Sequence, residues 1–403
     1  MKRVVVIGTG LAGIRVAARL GGDAVLIGEE PHAPYNRVLL AEVLAGSYGP
    51  EVIALPAPRG RRLHTRAVRV DRADHVVRCE NGAEVEYDAL VLATGANPVL
   101  PPLRGLFEPG ATDLPGGVHA FRTMDDCVAL SAAVREGTRA VVIGGGLLGV
   151  SAARALARRG AQVVLVQQAE RLMERHLDPK SSALVERHLA SLGVEIHTEC
   201  RVKALRTANA QVSHVELHDG YVLDTDVTVL ACGARPRTGL AKAAGLEVRR
   251  GVVVDDELRT SDPHIYAVGD CAEHAEKVYG LATPALEQAD ALANALTGTG
   301  APKTYTGTRT LTRLTLPHAA DPLDLAAFGE TEPLPGDDVV QLTDATRGTY
   351  RRVVVRGDRL VGGVLVGALG GVGALAHAWE SNEALPADDG APLLHLLTHD
   401  GGL

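Results

Sequence analysis

Twice along its 403 residues the chain runs from an apolar stretch into a glycine corner and then into a helix of small residues. The first copy is Val4 to Ile7, Gly8-Thr9-Gly10-Leu11-Ala12-Gly13, then Ile14 to Leu20. The second is Ala140 to Ile143, Gly144-Gly145-Gly146-Leu147-Leu148-Gly149, then an alanine-rich stretch through Leu156. Such a corner opens a βαβ unit. Its first glycine permits the tight turn, its second lets the backbone reach a pyrophosphate at the helix N-terminus, and its third lets helix and strand pack closely. On this reading Gly8, Gly10, Leu11, Ala12 and Gly13 cradle one dinucleotide, and Gly144, Gly146, Leu147, Leu148 and Gly149 a second. One corner of this form also arises without a nucleotide; two, about one domain length apart, point to paired nucleotide-binding domains.

The strands that follow carry the next signal. Ala24 to Ile27 ends at Gly28-Glu29-Glu30, where a carboxylate can accept hydrogen bonds from a ribose diol, with Glu29 preferred to Glu30. Val163 to Val166 ends instead at Gln167-Gln168. Glutamine can bond a ribose hydroxyl without repelling a 2′-phosphate, so NADH and NADPH both stay open. Arg171 either favours NADPH or is an ordinary solvated helix residue.

Composition narrows the class of partner. Only 3% of residues are aromatic and the formal charge is -8, which argues against a nucleic-acid partner. Met1-Lys2-Arg3 leads into an apolar run too short for a signal peptide or membrane span, so a cytoplasmic protein without a membrane partner is expected. Cys79, Cys127, Cys200, Cys232 and Cys271 lie far apart with no C-x-x-C pair, so no metal site, dithiol centre or iron–sulfur cluster is expected.

Taken in order, the motifs resemble the two-dinucleotide-binding flavoproteins, the pyridine nucleotide-disulfide oxidoreductase superfamily without its disulfide. Pro34-Tyr35-Asn36-Arg37-Val38-Leu39-Leu40 and Tyr279-Gly280-Leu281-Ala282-Thr283-Pro284-Ala285-Leu286-Glu287-Gln288-Ala289 look most like the FAD/NAD(P)H part of assimilatory nitrite reductases. Rubredoxin and ferredoxin reductases come next. The likeness extends to about residue 370. It implies an α/β fold with two Rossmann-like domains, an FAD domain interrupted by an NAD(P) domain, plus a small C-terminal α+β interface domain. The implied boundaries are 1–113 and 238–308 for FAD, 114–237 for NAD(P) and 309–403 for the interface piece, where Arg352 to Val355 and Leu360 to Leu365 read as strands.

The resemblance also assigns residues. Asn36 and Arg37 would lie by the FAD phosphates or adenosine, and Val68 and Pro284 would contact the same cofactor. Ala93, Thr94 and Gly95 would pass close to the flavin; Gly269 and Asp270 would form a second FAD fingerprint, the aspartate bonding the ribityl chain ahead of a helix N-terminus. The plainer reading of Asp270 is a helix N-cap. Cys232 belongs to the return strand as a small buried residue. The implied activity is hydride transfer from NAD(P)H to FAD and onward electron delivery to a carrier or reductase protein, without the iron–sulfur and sirohaem modules of full-length nitrite reductases.

Departures from the pattern keep two other functions open. Relatives carry a glutamate where this chain has Ser151, and lysine is replaced within Ala41-Glu42. A degenerate coenzyme site would suit a small-molecule oxidase or dehydrogenase. Arg59, Arg61, Arg62, Arg66, Arg69 and Arg72 form a basic run that would steer an acidic carrier, suit a flavoprotein subunit of a larger complex, or simply face solvent. His32 and His318 are acid–base candidates only where they face the flavin.

Overall fold

Val4–Ile7 becomes a central strand because every one of its residues is apolar and it is flanked on both sides by equally apolar neighbours. In the computed structural model it pairs in parallel with Ala24–Gly28 on one side and Ala89–Leu92 on the other. Ile265–Ala267 and Arg61–His64 complete a five-stranded parallel sheet as its two edges. The described residues are 3–22, 24–57, 59–107, 110, 113–298, 304–317, 322–385 and 397. They divide into two units, the first comprising 1–99, 122–125 and 234–308, the second 100–121, 126–233 and 309–403.

In the first unit, Leu11–Arg19 covers the sheet with Ala12, Ile14, Val16 and Ala17, and packs along Ala282–Thr297. Val6, Leu26, Leu90 and Val91 lose all solvent contact beneath it, worth roughly 1.5–3 kcal/mol each before chain entropy is counted. Arg15 and Arg19 both grip Asp290 of the facing helix. That helix ends at Gly298, whose φ of 65° gives the left-handed cap a residue with Cβ adopts reluctantly. An antiparallel meander of Ala67–Asp71, Val76–Cys79 and Glu84–Glu86 completes the crossover. Ala96–Pro98 pairs antiparallel with Ala234–Pro236, so the first exit from this unit and the final return to it share one two-stranded ladder, with 122–125 returning in between.

The second unit repeats the plan. Glu195–His197, Gln162–Val166, Arg139–Ile143, Val227–Leu230 and Val118–Ala120 form a parallel sheet in that order, with Leu147–Arg158 following the central strand. Pro179–Ser191 starts with proline in its first turn and with Asp178 capping the N–H groups of Lys180 and Ser181. A second meander joins Val202–Ala208, Gln211–Leu217 and Val222–Asp224. The C-terminal part is an antiparallel sheet ordered Leu311–Leu316, Leu323–Gly329, Arg359–Val366, Thr349–Arg356 and Asp338–Asp344, backed by Val372–Ser381. The two runs expected as strands lie inside Thr349–Arg356 and Arg359–Val366. Tyr350 reaches buried Asp178 with a hydroxyl hydrogen bond of 3.1 Å, tying this sheet to the helix cap. Among the described residues no helix is long and apolar enough to cross a membrane.

Candidate functional site

The first glycine corner sorts its glycines by what surrounds them. Gly8 has φ +116°, and a Cβ there would lie 2.0 Å from the Ala93 carbonyl oxygen. A Cβ on Gly13 would lie 2.0 Å from the Gly8 oxygen. Both positions are closed by backbone. A Cβ on Gly10 would meet nothing within 4 Å, and the helix that starts there has no side chain capping its first N–H groups. Open space before uncapped N–H donors suits a pyrophosphate. Leu11 and Ala12 are the first helical residues behind that space.

Charged side chains converge on the same end of the unit. Arg122 pairs with Asp270, and the two side chains are 12% and 19% exposed. Arg37 donates to Glu30 at 2.9 Å and to the Arg122 carbonyl at 3.0 Å. The Tyr35 hydroxyl donates to Glu30 and accepts the Met124 N–H at 2.9 Å, and burial pushes its pKa up. Asn36 caps the short turn that carries Arg37 by accepting the Val38 N–H. Gly269 has φ +76°, and its N–H donates to Gln288 Oε1 at 2.7 Å. A donor set of two guanidiniums and uncapped helix N–H groups, with Asp270 as an acceptor, fits an anionic diphosphate joined to a polyol.

Several expected residues take particular places. Asp270 is not a helix N-cap: it lies inside a 3-10 turn, Gly269–Cys271, whose cap position is Val268. The helix expected next begins only at Ala282, after the short strand Ala272–His274, and Gln288 links it back to Gly269. Pro284 is buried in its first turns. Glu29, just after its strand, is paired with Arg237 and, at 3.6 Å, with Arg66. Glu30 is taken up by Arg37 and Tyr35. Ala93 supplies the oxygen behind Gly8, the Thr94 hydroxyl donates to the Arg237 carbonyl at 2.8 Å, and Gly95 turns with φ +72°. Val68 lies half exposed on the meander. His32 is paired with Asp125 at 2.6 Å, and His318 lies outside the described residues.

The second corner repeats the sorting. A Cβ on Gly144 would lie 2.6 Å from the Ala231 oxygen and one on Gly149 1.7 Å from the Gly144 oxygen, whereas one on Gly146 meets nothing within 4 Å. Leu147 and Leu148 start a helix that also lacks a capping side chain. Gln167 accepts the Gly145 N–H at 2.8 Å. Ser151 donates to the Leu147 carbonyl one turn back at 2.8 Å, so its hydroxyl is spent on its own helix. Arg171 is not on a helix and not solvated: only 16% exposed, it donates to Leu177 O and Glu332. Burial pushes the Cys232 thiol up to about 11, which keeps it protonated and unreactive.

Three of the six arginines in the basic run face a carboxylate. Arg62 donates to the Glu30 and His32 carbonyls, Arg66 faces Glu29, Arg69 faces Asp71, and Arg72 pairs with Asp262 at 2.7 Å. Sequence reasoning missed Arg122, Arg237 and Gln288, whose partners lie elsewhere along the chain; only the place of Arg122 just ahead of the helix Met124–Ala133 hinted at the first.

Comparison with known proteins agrees with this architecture. The family model "Pyridine nucleotide-disulphide oxidoreductase" matches residues 2–289. The chain is 34% identical over 379 residues to the nitrite reductase [NAD(P)H] of Bacillus subtilis strain 168, covering 91% of this chain and 46% of that protein. It thus spans about half the length of the curated relatives it first matches. It is 32% identical over 318 residues to the rubredoxin-NAD(+) reductase of Pseudomonas putida, covering 74% and 81% of the two chains. Among solved structures it is similar to a chain of the covalent putidaredoxin reductase–putidaredoxin complex, with TM-score 0.84, 26% identity and 98% of each chain covered.

Proposed function

Because the chain belongs to the pyridine nucleotide-disulphide oxidoreductase family, we propose that it is an FAD-dependent NAD(P)H oxidoreductase that delivers electrons to a protein partner. The observation that carries this reading is the pair of glycine corners, each open at its middle glycine and uncapped at its helix start. The first corner, with Arg37, Arg122 and Asp270 beside it, would hold FAD, which supplies the hydride acceptor and the route to single electrons. Glu29 would accept from the adenosine ribose, and Asn36, Val68, Ala93, Thr94, Gly95, Gly269 and Pro284 would line the rest.

The second corner, with Gln167 at the ribose end, would take the nicotinamide coenzyme. Neither Ser151 nor Cys232 has a group free for proton transfer, so the chain's own contribution at this corner is to bind the coenzyme. We assign 1–113 and 238–308 to FAD, 114–237 to NAD(P)H and 309–403 to an interface domain. Relatives named for nitrite, rubredoxin and putidaredoxin support an electron carrier or a reductase module as the acceptor.

The test is the visible spectrum of the purified chain followed by anaerobic addition of NADH or NADPH. A flavin spectrum that bleaches with at least one coenzyme is expected. A flavin that neither coenzyme reduces removes the reading.

A further inference from the structure

The ribose end of the second corner bears on a choice the glycines do not make, whether the coenzyme carries a 2′-phosphate. Gln167 is neutral there, and its amide nitrogen lies 3.5 Å from the carbonyl oxygen of Arg171, so Arg171 backs directly onto this end of the corner. The loop between them is folded over the corner, with the Met173 N–H bonded to the Gly145 carbonyl at 2.8 Å.

Two of the three nitrogens of the Arg171 guanidinium are hydrogen-bonded, and the third faces a carboxylate. Nε donates to Leu177 O at 3.1 Å, Nη2 donates to Glu332 at 3.0 Å, and Nη1 lies 3.6 Å from Glu170. Two carboxylates on one guanidinium leave this triad with a formal negative charge. Glu174 and Arg175, exposed in the same loop, cancel each other. A 2′-phosphate arriving here meets a guanidinium held between two carboxylates in an acidic surrounding, while an unmodified ribose needs only the Gln167 amide. Replacing the usual acid by glutamine therefore does not by itself create a phosphate site.

We propose that the second corner selects the coenzyme without the 2′-phosphate, and that Glu332 is the positioning residue that enforces this by holding Arg171. The inference rests on the reading of this corner as a coenzyme site. Glu332 is 59% exposed, so altering it leaves the core untouched.

The test is calorimetric binding of ADP-ribose and 2′-phospho-ADP-ribose to the full chain as purified, which requires no turnover. The wild type should bind ADP-ribose more tightly, by about tenfold. Glu332→Gln should narrow that ratio by about three- to tenfold, because it removes a carboxylate and loosens Arg171. Arg171→Ala should widen it, because Glu170 and Glu332 are left uncompensated. Opposite shifts cannot come from general loosening of the loop. A wild type that prefers the phosphorylated ligand, an unchanged ratio in Glu332→Gln, or shifts of the same sign in both variants would overturn the inference and leave the coenzyme site standing. Binding of neither ligand by the wild type removes the coenzyme site itself.

Discussion

Gly10 and Gly13 belong to one turn yet answer to different constraints. Gly13 is closed by backbone, so Gly13→Ala should cost at least about 2 kcal/mol of stability in urea unfolding of the apoprotein. Gly10 faces open space, so Gly10→Ala should leave apo stability within about 1 kcal/mol. The same change should weaken FAD binding by at least about tenfold in a flavin-fluorescence titration, since the added methyl enters the volume assigned to the pyrophosphate. Equal damage to stability from both variants would mean the turn is only a packing device. Arg122→Ala removes the cation paired with the largely buried Asp270 and leaves only the charge of Arg37 nearby, so a loss of about 1–3 kcal/mol in stability is expected, together with weaker FAD uptake. Unchanged FAD affinity in that variant would separate Arg122 from the cofactor.

At the scale of elements, Leu11–Arg19 and Ala282–Thr297 are joined by Asp290 between Arg15 and Arg19. The hydrogen bond from Arg15 holds the Asp290 carboxyl below its ordinary 3.8, against the penalty of partial burial and with help from Arg19. Because the folded-state value is lowered, the stabilisation is complete above pH about 4 and fades as pH falls below it. Asp290→Asn should therefore melt below the wild type at pH 7, and the gap should narrow as pH falls below about 4; a gap that does not narrow would assign the effect to packing. The corners, their strands and their helices were legible because each is local: a few glycines and an apolar run decide the geometry between neighbours. Arg122 with Asp270, Arg237 with Glu29 and Arg171 with Glu332 were not, because topology alone brings such residues together. Ser151 could be seen as a departure, but its bond to Leu147 could not, since a serine in a helix has both inward and outward choices. The plainer alternative for Asp270, a helix N-cap, fails because the chain makes a 3-10 turn there instead.

For the whole molecule, the nitrite reductases it resembles extend to about twice its length or more. Purified alone, this chain should reduce an artificial acceptor such as ferricyanide with a reduced nicotinamide; no reduction by either coenzyme would contradict the activity proposed above. The ladder of Ala96–Pro98 with Ala234–Pro236 has its own consequence. A host can accommodate a guest of any size when exit and entry lie side by side, because the host's ends are held at one fixed spacing. Yet 122–125 return from the guest stretch to the host, carrying the counter-ion of Asp270. Cutting out the loop and sealing the ladder with a short turn would thus leave a host with its sheet intact and its anion cradle missing one wall: the insertion is a tenant that also holds up part of the house.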